Sequence, residues 1–135
     1  MTMRSFFMTL ILSGVFTTVI IGQNSVKSPK TKTRILYGTA SFYANKFNGR
    51  KTATGEIFSQ HKMTAACNVL PLGTWIRVTN LRNHRSIVVR VNDRLHSRMK
   101  RVVDLTRTGA QKLGYIGSGL TRVKVEVLGK KKPEK

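Results

Sequence analysis

Only five side chains in this sequence carry a carboxylate, against 25 lysines and arginines. They are Glu56, Asp93, Asp104, Glu126 and Glu134, and two stand inside dense polar motifs. Glu56 closes Thr52-Ala53-Thr54-Gly55-Glu56, and Asp93 stands in Val91-Asn92-Asp93-Arg94. A carboxyl group in a site that tunes its protonation can act as a general acid or base. So few acids allow each to be weighed alone. Asp93 is a catalytic candidate or a strand-end acid paired with Arg94 or another cation. Glu56 is a functional acid or a turn acid after Gly55. Asp104 fits a helix start or buried turn before Leu105-Thr106, with a catalytic role as the weaker alternative. Glu126 fits a solvated face.

The remaining reactive types exclude more than they suggest. Cys67 is the single cysteine, so no intrachain disulfide forms. There is no CxxC or HExxH, and His61, His84 and His96 lack zinc-site spacing, so neither a metal nor a cofactor is expected. Cys67 reads either as a polar group at a site or as a small buried hydrophobe. No protease signature surrounds it or the histidines.

The elements that must position these groups are mostly strands. Residues 74–80 and 86–92 are rich in β-branched and aromatic residues, with Ile87, Val89 and Val91 on one face. Residues 81–85 connect them as a hairpin, with Asn83 as the left-handed residue. Residues 121–128 alternate, with Val123, Val125 and Val127 inward, and residues 37–43 read as a first strand. One short helix fits 106–113, capped by Thr106 and stopped by Gly114. Short strands, Gly-rich turns and one small helix predict a closed barrel or sandwich. Trp75 and the Phe42/Tyr43 pair read as core or as sugar-stacking rings.

The net charge of +20 predicts binding to polyanions at low salt: nucleic acid, anionic lipid or anionic wall polymer. Residues 1–22 have the layout of a secretory signal, with Arg4 ahead of an uncharged apolar run, or else of an uncleaved N-terminal anchor. Residues 23–34 read as a basic flexible leader, 35–128 as one folded domain and 129–135 as a disordered basic tail. An exported chain without an aromatic-basic platform argues against nucleic acid as partner.

A series of short motifs then adds a resemblance. In order, they are Gly38-Thr39-Ala40-Ser41-Phe42-Tyr43, Phe47-Asn48-Gly49-Arg50, Thr52-Ala53-Thr54-Gly55-Glu56, Met63-Thr64-Ala65-Ala66, Leu70-Pro71-Leu72-Gly73-Thr74, Val78-Thr79-Asn80-Leu81, Val91-Asn92-Asp93-Arg94 and Val103-Asp104-Leu105. Their order and spacing resemble the rare lipoprotein A family through almost the whole domain. The resemblance implies a six-stranded double-psi β-barrel with one or two short helices, as in expansins. It also implies a periplasmic lytic transglycosylase cleaving peptidoglycan glycan strands stripped of their peptides, with 1,6-anhydro-muramyl ends as product. The alternative is an expansin-like barrel that binds peptidoglycan without cutting it.

Carried over by motif, the family's catalytic acid falls on Asp93 and its second groove carboxylate on Glu56. Thr52, Gly55, Cys67, Asn92 and Arg94 are then expected to contact substrate. The family has a groove histidine where this chain has Cys67, and Gly-Pro where it has Leu95-His96. The expected partner is the glycan strand, and the expected state is a monomer, with membrane association only through residues 5–22 if they are not cleaved.

Overall fold

The computed structural model describes residues 13–22 and 31–135. The chain divides into two units, Met1–Lys30 and Thr31–Lys135. In the first, residues 13–22 are exposed and form neither helix nor strand. The rest of the expected signal, and residues 23–30 of the expected leader, lie outside the described residues. Among the described residues no helix is long and apolar enough to cross a membrane.

The second unit is built from six strands: β1 (Ile35–Phe42), β2 (Thr64–Ala66), β3 (Trp75–Asn80), β4 (Ser86–Asp93), β5 (Val103–Leu105) and β6 (Thr121–Gly129). They close into a barrel in the order β1-β5-β2-β4-β3-β6. β1 runs parallel to β5 and β2 parallel to β4, while the other four pairings are antiparallel. This is the closed six-stranded barrel that the motifs imply.

Alternation makes the interior. Ile76 and Val78 on β3, Val89 and Val91 on β4, and Val123 and Val125 on β6 are all fully buried. A barrel of six strands has room for little more than side chains of this size. Backbones also come close: a Cβ on Gly38 would lie 2.7 Å from the Cβ of Val102, so β1 needs a glycine there.

The single α-helix among the described residues, α1 (Arg107–Leu113), starts and stops as its residues dictate. The Thr106 side chain accepts a hydrogen bond from the Gly109 N–H at 3.2 Å, and Gly114 turns left-handed at φ 76°. Two expectations are corrected. Asp104 lies in the middle of β5, two residues before the helix cap, and is held by Arg101. In the β3–β4 connection the left-handed residue is His84, φ 61°, and not Asn83. Asn83 instead accepts from the Arg85 N–H through Oδ1 and donates through Nδ2 to Leu113 O. Its side chain staples the hairpin to α1, and the positive φ falls on its neighbour.

One irregularity bears on the site. β2 pairs with β4 as Thr64 with Arg90 and Ala65 with Val91, but Ala66 with Asp93. Asn92 is the extra residue of this bulge. Bulges bend a strand and redirect the side chains that follow. Asp93 is the next residue, at the end of β4.

Candidate active site

Asp93 lines a cleft of about 550 Å³ together with Phe42, Tyr43, Ala66, His96 and Asp104. Its carboxylate is fixed by three donors. The Tyr43 hydroxyl donates to Oδ2 at 2.6 Å, and the N–H groups of Ala53 and Arg94 each donate to Oδ1 at 2.9 Å. Tyr43 stands just past the end of β1 and is itself wedged. Its ring stacks on Phe58 with centroids 4.1 Å apart and meets the Phe47 ring edge-on at 5.9 Å. Burial first, then the hydrogen bond to Asp93, pushes the Tyr43 pKa far up, so the phenol keeps its proton. Tyr43 is therefore packed outside the barrel core, between Phe47 and Phe58, with its hydroxyl turned to the site, and neither of its expected alternatives described this.

The Thr52–Glu56 segment is a turn laid across the end of β4. The Gly55 N–H donates to Thr52 O at 2.9 Å, the Thr52 N–H to Glu56 O at 2.8 Å, and the Thr54 N–H to Asn92 O at 3.2 Å. Gly55 has φ +85°, which accounts for glycine at that position. The turn aims the Ala53 N–H at Asp93 and the Glu56 side chain at Arg90. Arg90 Nη2 donates to Glu56 Oε2 at 2.7 Å, and the Thr54 hydroxyl to Oε1 at 3.1 Å. The Arg90 guanidinium, helped by Thr54 and Asn92, pulls the Glu56 carboxyl down to about 2. Glu56 is thus an ionised, neutralised acid at neutral pH, and it is not among the residues lining the Asp93 cleft.

That ion pair makes a pH prediction. Because the folded pKa of Glu56 lies below its unfolded value, the pair's stabilisation is complete above about pH 4.5. It is lost as pH falls through about 2. The Glu56 side chain is 33% exposed, so solvent screening holds the contribution to about 1 kcal/mol. Thermal unfolding of the wild type and Glu56→Gln should differ most above about pH 5 and converge near pH 2. A gap that stays constant across that range would contradict the assignment.

The remaining candidates divide between wall and scaffold. Cys67 is 1% exposed and sits in the barrel core, so its thiol does not face the cleft. Its N–H still donates to Asp93 O at 3.0 Å, and its carbonyl accepts from Arg94 Nη1. The same Nη1 donates to Leu70 O at 2.6 Å, so Arg94 ties down the segment from Cys67 to Leu70 while also lining the cleft. Thr52 is buried, with its hydroxyl 3.0 Å from that of Thr54. Asn92 is buried, and its Oδ1 has no hydrogen-bond partner among the described residues. Where the family has Gly-Pro, Leu95 buries its side chain and His96 joins the cleft wall.

Asp104 is the wall residue that sequence reasoning placed elsewhere. Its side chain is 13% exposed and held on both oxygens by Arg101, Nε to Oδ1 at 2.8 Å and Nη2 to Oδ2 at 2.9 Å. The available signal was an acid between two apolar residues, Val103 and Leu105, which is the pattern of a strand and not of a helix start.

Residues 36–125 match the family described as lytic transglycolase, a double-psi β-barrel domain. The endolytic peptidoglycan transglycosylase RlpA of Pasteurella multocida is 50% identical over 91 residues, covering 67% of this chain and 31% of that protein. The protein of the same name from Pseudomonas aeruginosa is 52% identical over 91 residues, covering 67% of this chain and 27% of that one. The chain thus spans under a third of the length of these curated relatives. In fold, it is similar to the Streptomyces papain inhibitor, with TM-score 0.57 and 19% identity over 70% of this chain and 94% of that one. It is also similar to an expansin of Clavibacter michiganensis, with TM-score 0.56 and 17% identity over 76% of this chain and 53% of that one. The chain belongs to the lytic transglycolase family, and its second unit is that family's double-psi β-barrel.

Proposed function

We propose that this chain is an endolytic peptidoglycan transglycosylase exported to the periplasm or cell envelope. The observation that carries the reading is the Asp93 carboxylate at the end of β4, in an open cleft and oriented by Tyr43, Ala53 and Arg94. In the proposed step, protonated Asp93 gives its proton to the bridging glycosidic oxygen as positive charge develops at the anomeric carbon. The bond to the leaving sugar breaks. The C6 hydroxyl of the same muramyl residue forms the new bond to that carbon, and its proton passes to Asp93. The product is a 1,6-anhydro ring, no water is consumed, and Asp93 ends protonated as it began. Such proton transfer contributes about 10²–10⁴-fold.

The Tyr43 phenol holds the acid at a fixed angle through both protonation states. Glu56, ionised and paired with Arg90, braces the turn that contains Thr52 and Gly55, and that turn holds the Ala53 N–H against Asp93. Arg94 meets the substrate from the cleft wall just past β4, Asn92 supports Asp93 from the buried bulge, and Cys67 acts only through its backbone. Residues 1–22 serve as the export signal or anchor, 23–34 as leader and 129–135 as tail, with the barrel working as a monomer.

A second reading is favoured by one observation. The position of the family's groove histidine holds a thiol turned into the core. A barrel lacking that group can bind glycan as an expansin-like module without cutting it. Incubation of the purified protein with peptide-free glycan strands, followed by mass spectrometry of the ends, separates the two. The enzyme yields anhydro-muramyl ends. Strands bound but uncut would favour the binding module.

A further inference from the structure

Acids are so few that most cations among the described residues have no carboxylate partner, and the positions of these cations carry information. Glu56 is held by Arg90, Asp104 by Arg101, and Glu126 lies 3.7 Å from Arg77 and 3.8 Å from Lys124. Arg94 in the cleft spends its Nη1 on two carbonyls. Lys46 differs. It lines the Asp93 cleft, it is exposed, and no carboxylate meets it among the described residues. Its ammonium lies 5.3 Å from the centroid of the Phe47 ring.

A cation resting on an aromatic ring is common on protein surfaces and needs no function by itself. What sets Lys46 apart is how it is tied to the acid. The short 3₁₀ turn Asn45–Phe47 carries both Lys46 and Phe47. The Phe47 ring meets the Tyr43 ring edge-on at 5.9 Å, and the Tyr43 hydroxyl holds Asp93 at 2.6 Å. Two packed rings therefore place the turn that carries this unmatched charge beside the group that would deliver the proton. Further unpaired cations stand nearby. Arg50 lies 5.4 Å from the same ring, and exposed Arg98 and Lys100 belong to the segment that supplies His96 and Met99 to the cleft.

Building on the transglycosylase reading, we propose that Lys46 is a specificity-determining residue that pairs with a free carboxylate on the bound glycan. Muramyl sugars carry a lactyl ether whose carboxyl group is either free or joined to a peptide as an amide. Only the free form offers a charge. The carboxylate-bearing strand is then preferred because of a named side chain, and not only because a bulky peptide is absent.

The test uses the full chain and two matched substrates: peptide-free strands with free lactyl carboxylates, and the same strands converted to methylamides. Binding and rate of cleavage are measured for each. Wild type is expected to bind the carboxylate strands about tenfold more tightly, a preference that shrinks with added salt. Lys46→Gln should lose the preference and Lys46→Arg should keep it, with melting temperatures of both variants checked against wild type. Equal binding of the two substrates by wild type would overturn the proposal. So would an undiminished preference in Lys46→Gln. A preference that depends on Lys46, without anhydro ends from any sample, would count against the transglycosylase reading and leave the charge-reading role of Lys46 standing.

Discussion

Asp93→Asn is expected to lower cleavage of glycan strands by about 10²–10⁴-fold while the barrel stays folded. The substitution keeps the shape of the side chain. Its amide oxygen can still accept from the N–H groups of Ala53 and Arg94, and its NH₂ group can donate to the Tyr43 hydroxyl, which accepts as readily as it donates. Melting temperature should therefore change by the equivalent of less than about 1 kcal/mol. Only the ability to carry and release a proton is lost. The pair of measurements is thermal unfolding and release of anhydro ends. Loss of both together would mean that Asp93 is an acid of structure. Full cleavage by a folded Asn variant would end its assignment as the proton donor.

The second large effect concerns stability. Arg101→Ala removes the only described ion-pair partner of Asp104, whose side chain is 13% exposed. A carboxylate so shielded loses two charge-assisted hydrogen bonds and its countercharge together. The expected cost is about 2–3 kcal/mol, or roughly 10–15 °C in melting temperature for a domain of this size. Asp104→Asn introduced into the same chain removes the stranded charge and should recover much of that loss. The double variant is therefore expected to melt above Arg101→Ala. If Arg101→Ala melts with the wild type, solvent already satisfies Asp104 and the pair is no more than a surface contact.

The parts of the fold that could be read in the sequence were those with a repeating pattern. β6 shows strict alternation over its length, β3 and β4 are dense in β-branched residues, and α1 carries its own cap and stop in Thr106 and Gly114. β2 and β5 are three residues each. No periodicity can be recognised in so short a run, and only barrel closure makes them strands. The motifs led to Asp93 and Glu56 because a polar cluster in an acid-poor chain stands out. They could not show that Tyr43 would hold Asp93, since the two are 50 positions apart and meet only when β1 and β4 close around the same barrel end. Nor could they tell that Glu56 would turn toward Arg90, which depends on strand phase at β4. Asp104 was placed at the helix start because it stands just before Leu105-Thr106, and a three-residue strand followed at once by the Thr106 cap leaves no pattern that separates the two. Cys67 had two open readings, and the buried one holds because the thiol packs into the core with Ala65 and Leu70, while Ala66 between them faces the cleft.

The most direct measurement is digestion of peptide-free glycan strands in water enriched in a heavy oxygen isotope, with mass analysis of the new ends. If the substrate's own C6 hydroxyl is the nucleophile and Asp93 shuttles the proton, the ends are anhydro rings containing no solvent oxygen. Ends that carry the heavy isotope would mean that water attacked the anomeric carbon, and strands with no new ends would mean that the cleft holds glycan without breaking it.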